Sequence, residues 1–142
     1  MQIQKIIVIF GTFDNVHEGH RDLFMQAKKH GDILIAIVAR DNSVLKLKNK
    51  IPMFNEEQRI KNLLEIDEID RVLLGDEEQG TYKILKEINP SVIFLGYDQV
   101  ALKNDLEKAI EEKNIEKVEI LIGQPYQQER FHSSILNSKS VL

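Results

Sequence analysis

The sequence predicts an α/β protein: a Rossmann-like sheet of five parallel strands with helices on both faces, in a single domain over residues 1–142. Three observations predict it. Short apolar runs alternate with helix-length segments along the whole chain. Those runs are continuous rather than alternating, as strands buried on both faces require. The length, 142 residues, suits one hydrophobic core and leaves little room for a second.

The elements follow in chain order. Ile3–Phe10 is the first strand, an apolar run suited to the centre of the sheet. Glu18–His30 reads as a helix with Leu23, Phe24 and Ala27 on one stripe, ended by Gly31. Ile33–Ala39 is a second buried strand. Asn42–Phe54 is the least regular stretch and reads as a loop, with Lys46, Lys48 and Lys50 ahead of Ile51-Pro52. Asn55 is placed to cap the next helix, with Gln58 reaching back as in a capping box. Ile60, Leu63 and Leu64 form that helix's apolar stripe. Val72–Leu74 is a short strand, and Tyr82–Ile88 a helix stopped by Asn89-Pro90. Val92–Leu95 is the next strand, and Gly96-Tyr97-Asp98-Gln99 leaves its carboxyl end. Leu102, Leu106, Ala109 and Ile110 mark a helix, Val118–Ile122 a last strand and Ser133–Ser138 a short terminal helix. Right-handed crossovers join the strands.

Composition excludes several classes. The chain is 42% hydrophobic and 30% charged, which is ordinary for a globular protein and not for a disordered one. A net charge of −4 argues against a dedicated nucleic-acid binder, which carries a basic face. There is no cysteine, so disulfides and thiolate metal sites are ruled out. No apolar stretch nears the roughly 20 residues of a membrane-spanning helix. Met1–Lys5 lacks a signal-peptide pattern, and a cytoplasmic location is expected.

The junction Gly11-Thr12-Phe13-Asp14-Asn15-Val16-His17-Glu18-Gly19-His20 carries the chemistry. It stands where a buried strand hands over to a helix, the edge at which α/β folds bind phosphates. His17 and His20, at i and i+3 beside a helix start, can both face one phosphate while the helix adds N–H donors and a positive dipole end. In a nucleotidyl transfer, charge builds on the α-phosphoryl oxygens, and fixed donors there lower the barrier. An isolated pair with this spacing is more often a helix cap or surface pair. Zinc is the weaker alternative, because there is no cysteine and His30 and His132 are distant in sequence. Gly11 is expected to allow a tight turn, and Gly19 a close backbone approach to ligand. Thr12 and Phe13 offer backbone N–H groups to a triphosphate. Asp14 is open between a catalytic role and capping a turn or orienting an imidazole.

The decapeptide resembles, position by position, the G-T-F-D-x-x-H-x-G-H motif of the cytidylyltransferase-like nucleotidyltransferases. The resemblance implies catalytic roles for His17, His20 and Lys46. It implies nucleotide contacts from Gly11, Thr12, Phe13, Gly19, Lys48, Arg59, Gly96, Asp98, Ser133 and Ser134. The family's lysine-bearing loop after the second strand closes over the β- and γ-phosphates, and Lys46 and Lys48 reproduce its every-other-residue spacing. Arg59 matches an arginine on the family's next helix, against a plain surface salt bridge. Gly96–Gln99 matches the loop that holds base and ribose. Ser133 and Ser134 match hydroxyls that meet triphosphate oxygens, against plain helix caps, and His132 has no assigned role.

Among small members, glycerol-3-phosphate cytidylyltransferases resemble the chain in length and most motifs. They differ at Gly96-Tyr97-Asp98 and at Glu129–Ser134. The archaeal-type FAD synthases share Val38-Ala39-Arg40-Asp41, the Lys-Leu-Lys loop, Glu57-Gln58-Arg59, Leu95–Gln99 and Phe131-His132-Ser133-Ser134. They differ in having C-terminal cysteines. The resemblance implies transfer of AMP from ATP, with Mg2+, to the phosphorylated acceptor FMN. CTP with a phospho-alcohol acceptor is the alternative, and a non-catalytic nucleotide-binding module is the alternative of another class. It also implies a homodimer.

Overall fold

The computed structural model describes residues 3–78 and 80–126. Strands and helices alternate among its described residues, except that two helices follow the second strand: β1 (Ile6–Gly11), α1 (Glu18–Lys28), β2 (Ile33–Val38), α2 (Asp41–Lys48) and α3 (Glu56–Leu64). These are followed by β3 (Arg71–Leu74), α4 (Lys83–Ile88), β4 (Val92–Leu95), α5 (Val100–Glu111) and β5 (Glu119–Ile122). The strands form one sheet in the order β3-β2-β1-β4-β5, every pair parallel. The order reverses between β1 and β4, which opens a crevice at their carboxyl ends.

Successive strand residues point to opposite faces, so each strand feeds two cores. Ile7, Ile9, Leu34, Ala36, Val38, Val92 and Phe94 meet Phe24 and Ala27 of α1 and Leu63 of α3. Val8, Ile35, Ile37, Ile93 and Leu95 meet Leu85 of α4 and Leu106 and Ala109 of α5. Among the described residues, no helix is long and apolar enough to cross a membrane.

Three expectations are corrected here. The stretch after β2 is not a loop, since Asp41–Lys48 is helical with Ser43 and Val44 buried. A carboxylate exchange holds that helix: the Asp41 amide donates to Glu56 at 2.8 Å, and the Glu56 amide to Asp41 at 3.2 Å. Each helix N-terminus thus receives the other's negative charge. In α3, Asn55 accepts from the Gln58 amide, but the Gln58 side chain turns to Asn62 instead of closing a capping box. That helix's buried face is Arg59 and Leu63, at i and i+4, which turns Leu64 outward. Asn89 does stop α4, in the left-handed conformation before Pro90. The expected terminal helix lies outside the described residues.

Candidate active site

A cleft of about 770 Å3 lies across the carboxyl ends of β1 and β4. The motif loop forms one wall, Gly96–Gln99 the other, and Lys48, Gln124 and Tyr126 line its rim.

The two imidazoles are built into the start of α1. His17 is its N-cap, and its Nδ1 accepts from the Gly19 amide at 3.1 Å. His20 reaches back, and its Nδ1 accepts from the His17 amide at 3.3 Å. This is a capping box made of two histidines, so the capping and functional readings of the pair are compatible. An accepting Nδ1 carries no proton, so each neutral ring bears its hydrogen on Nε2. The rings stand 4.1 Å apart between centroids, and both line the cleft. Burial and the neighbouring His17 push His20 down to about 4, against an upward pull from Asp98. At neutral pH, His20 is an uncharged donor.

Phe13 fixes the floor. Its φ of 52° lies in the left-handed region, which costs a side-chain-bearing residue about 1–2 kcal/mol. Packing holds it there. The Phe13 ring meets Phe24 at 5.5 Å and His20 at 5.7 Å, both edge-on. It also lies over Gly11, where an added Cβ would come within 2.6 Å of the ring. Gly11 therefore makes room for Phe13 more than for a turn. An added Cβ on Gly19 would meet the His17 ring at 2.9 Å, so Gly19 leaves space for the cap itself.

Asp14 neither caps its own turn nor orients an imidazole. Its carboxylate accepts from the Met53 and Phe54 amides at 2.7 and 2.8 Å, tying the motif loop to the segment before α3. Burial pushes this carboxyl up, but the Phe54 and Met53 amides, with Arg59 and Lys50, outweigh it and hold it below the usual range.

Arg59 is fully buried behind the loop and does not line the cleft. It donates to the carbonyls of Thr12 at 2.9 Å, Ala39 at 2.7 Å and Phe54 at 3.1 Å, and to Asp41 at 2.7 Å. Neither the nucleotide contact nor the surface salt bridge expected of it matches this placement. Sequence reasoning missed its role as a brace, because its partners are scattered along the chain.

Lys48 lines the cleft and Lys46 does not. On a helix, i and i+2 point to different sides, so alternate lysines cannot both face one ligand. Thr12, Gly96 and Asp98 line the cleft as expected. Gln99, expected only as part of the base-and-ribose loop, ties its two walls together. Its side chain donates to the Phe10 carbonyl at 3.0 Å and accepts from the Gly96 amide at 2.8 Å. Ser133, Ser134 and His132 lie outside the described residues.

The sequence profile of the cytidylyltransferase-like family matches residues 8–137. The chain belongs to that family. This cytidylyltransferase-like chain is 38% identical to an FAD synthase of Methanohalophilus mahii, over 85% of this chain and 83% of the relative. It is 37% identical to an FAD synthase of Thermoplasma acidophilum, over 75% and 73%. Among solved structures it is similar to a lipopolysaccharide core biosynthesis protein of Thermoplasma volcanium, with a TM-score of 0.78, 34% identity and coverage of 87% and 99%. The pantoate-beta-alanine ligase of Francisella tularensis shares the fold alone, at TM-score 0.63 and 15% identity, covering 88% of this chain and 60% of that one.

Proposed function

We propose that this nucleotidyltransferase is an FMN adenylyltransferase, making FAD and pyrophosphate from ATP and FMN. The observation that carries the reading is the histidine capping box, which commits both Nδ1 atoms to the helix start and leaves two Nε2–H donors side by side in the cleft. Relatives called FAD synthases, similar over most of their length, support the substrates.

In the reaction, an oxygen of the FMN phosphate attacks the α-phosphorus of ATP. A P–O bond forms there while the bond from that phosphorus to the bridging oxygen breaks, and pyrophosphate leaves with the electron pair. The FMN phosphate is already anionic, so no general base is needed. Catalysis then consists of alignment and charge stabilisation. His17 and His20 donate to the α-phosphoryl oxygens, where charge accumulates, and the first turn of α1 adds its positive end. Lys48 reaches the leaving phosphates from the rim, and Gly96 and Asp98 bound the nucleoside end.

Among the described residues, no group of three or more histidine, cysteine or carboxylate side chains is placed to hold a metal ion. Mg2+ is inferred to arrive with ATP as part of the substrate, neutralising triphosphate charge. Lys46, Ser133 and Ser134 remain proposed phosphate contacts by family resemblance. That resemblance also supports a homodimer in the cytoplasm, which light scattering of the purified protein checks for assembly.

The test is pyrophosphate release with ATP or CTP against FMN, glycerol 3-phosphate and phosphoethanolamine. FAD formation from ATP and FMN supports the reading. Turnover only with CTP and a phospho-alcohol overturns it, as does ATP binding without turnover on any acceptor.

A further inference from the structure

Helix α1 carries Glu18, Asp22 and Gln26 four residues apart, which places them in one stripe along a single face. The segment that leaves β5 runs back along that stripe. At its start, the Gly123 amide donates to the Leu95 carbonyl at 2.7 Å, and an added Cβ there would come within 2.9 Å of Leu23 and Phe94. The backbone therefore lies directly against α1. Gln26 grips residue 124 at two points: its Nε2 donates to the Gln124 carbonyl at 3.1 Å, and its Oε1 accepts from the Gln124 amide at 2.8 Å. The same Nε2 donates to the buried Asp22 at 2.9 Å, which fixes the orientation of the amide. Two residues on, the Tyr126 hydroxyl donates to Glu18 Oε2 at 2.6 Å.

Glu18 stands between the two imidazoles in the motif, at one of its variable positions. A carboxylate in the first turn suits the helix dipole, but the site beside it takes a polyanion. Swung into the cleft, that carboxylate would repel a triphosphate and accept from the Nε2–H donors meant for it. Glu18 does not line the cleft, whereas Gln124 and Tyr126 do. The phenol stands on the rim beside Gly19, where an added Cβ would meet the Tyr126 Cβ at 3.6 Å. Its hydroxyl bond to Oε2 ties the carboxylate to the rim.

We propose that Tyr126 is a positioning residue for the transferase: its hydroxyl latches Glu18 outside the cleft, and Gln26 sets the latch by fixing the segment that carries it. Both imidazoles are thereby kept for the nucleotide. The latch rests on triphosphate binding at the histidine cleft and not on the identity of the acceptor.

A cycle of Tyr126→Phe and Glu18→Gln tests it, read as ATP affinity by calorimetry with Mg2+ and no acceptor. Tyr126→Phe removes only the hydroxyl. With Glu18 present it is expected to weaken ATP binding by roughly 5-fold, the scale of one like-charge contact near the surface. In the Glu18→Gln background it is expected to change affinity by less than about 2-fold, because no charge is left to hold back. No loss with Glu18 present overturns the latch, and so do equal losses in the two backgrounds, which a purely structural hydroxyl would give. Gln26→Met is expected to reproduce the loss and not to add to that of Tyr126→Phe. Losses that add instead overturn the role of Gln26, and the Tyr126 cycle stands without that variant should it fail to fold. Protein that binds ATP but makes no FAD from FMN overturns the FMN adenylyltransferase reading alone, since the cycle needs no acceptor. If the wild type binds CTP and not ATP, the cycle is read with CTP and the same outcomes decide it.

Discussion

His17 commits one ring nitrogen to the fold and keeps the other for the cleft, and the two uses can be separated. His17→Asn keeps an oxygen able to cap α1 and loses the imidazole. We expect a melting temperature within about 2 °C of wild type and kcat lower by about 10²-fold or more, as for loss of an oxyanion donor. His17→Ala loses both functions and should also lose about 1 kcal/mol of stability. Arg59 behaves differently. A surface ion pair contributes about 0–1 kcal/mol, but this guanidinium is 0% exposed and holds three carbonyls. Arg59→Met leaves those oxygens and Asp41 without their donor. The expected cost is about 3 kcal/mol, the low end for a broken buried pair because Asp41 is 39% exposed. Thermal denaturation would show it, and a fall in melting temperature equally large with and without ATP separates a brace from a nucleotide contact. The motif was legible in the sequence because its residues are contiguous. The brace was not, since Arg59 lies 47 residues from Thr12 and 20 from Ala39.

At the scale of elements, β1, β2, β4 and α1 were legible, because continuous apolar runs and one periodic stripe mark them. The helix α2 was not. Its exposed Leu45-Lys46-Leu47-Lys48 alternates like a strand or loop, and what fixes it as a helix is the carboxylate exchange with α3, a tertiary contact. The consequence is unequal lysines. Lys48→Ala is expected to raise KM for ATP by about 10-fold, the loss of one charge-assisted contact, and Lys46→Ala by clearly less. Equal effects from the two would show that α2 rearranges when nucleotide binds.

For the whole molecule, acid stability follows from His20. Its folded value is lowered from 6.5 to about 4, so between those limits the unfolded chain binds a proton that the folded protein does not. Its contribution is therefore complete above pH 6.5 and is lost as pH falls from about 6.5 to about 4. Urea midpoints measured across that window should fall toward acid, and His20→Gln should flatten the slope. Asp14, also held low, adds a loss at still lower pH. The alternation of strands and helices made the parallel sheet legible as a whole. The latch along α1 was not, because Gln26 lies 98 residues from Gln124 and Glu18 lies 108 from Tyr126.

The buried guanidinium of Arg59 has one more effect. It grips carbonyls from the motif loop and from the end of β2, so the contour of that loop is set by a helix more than forty residues further along the chain. A substitution on the inner face of α3 is therefore expected to reach the cleft without touching it.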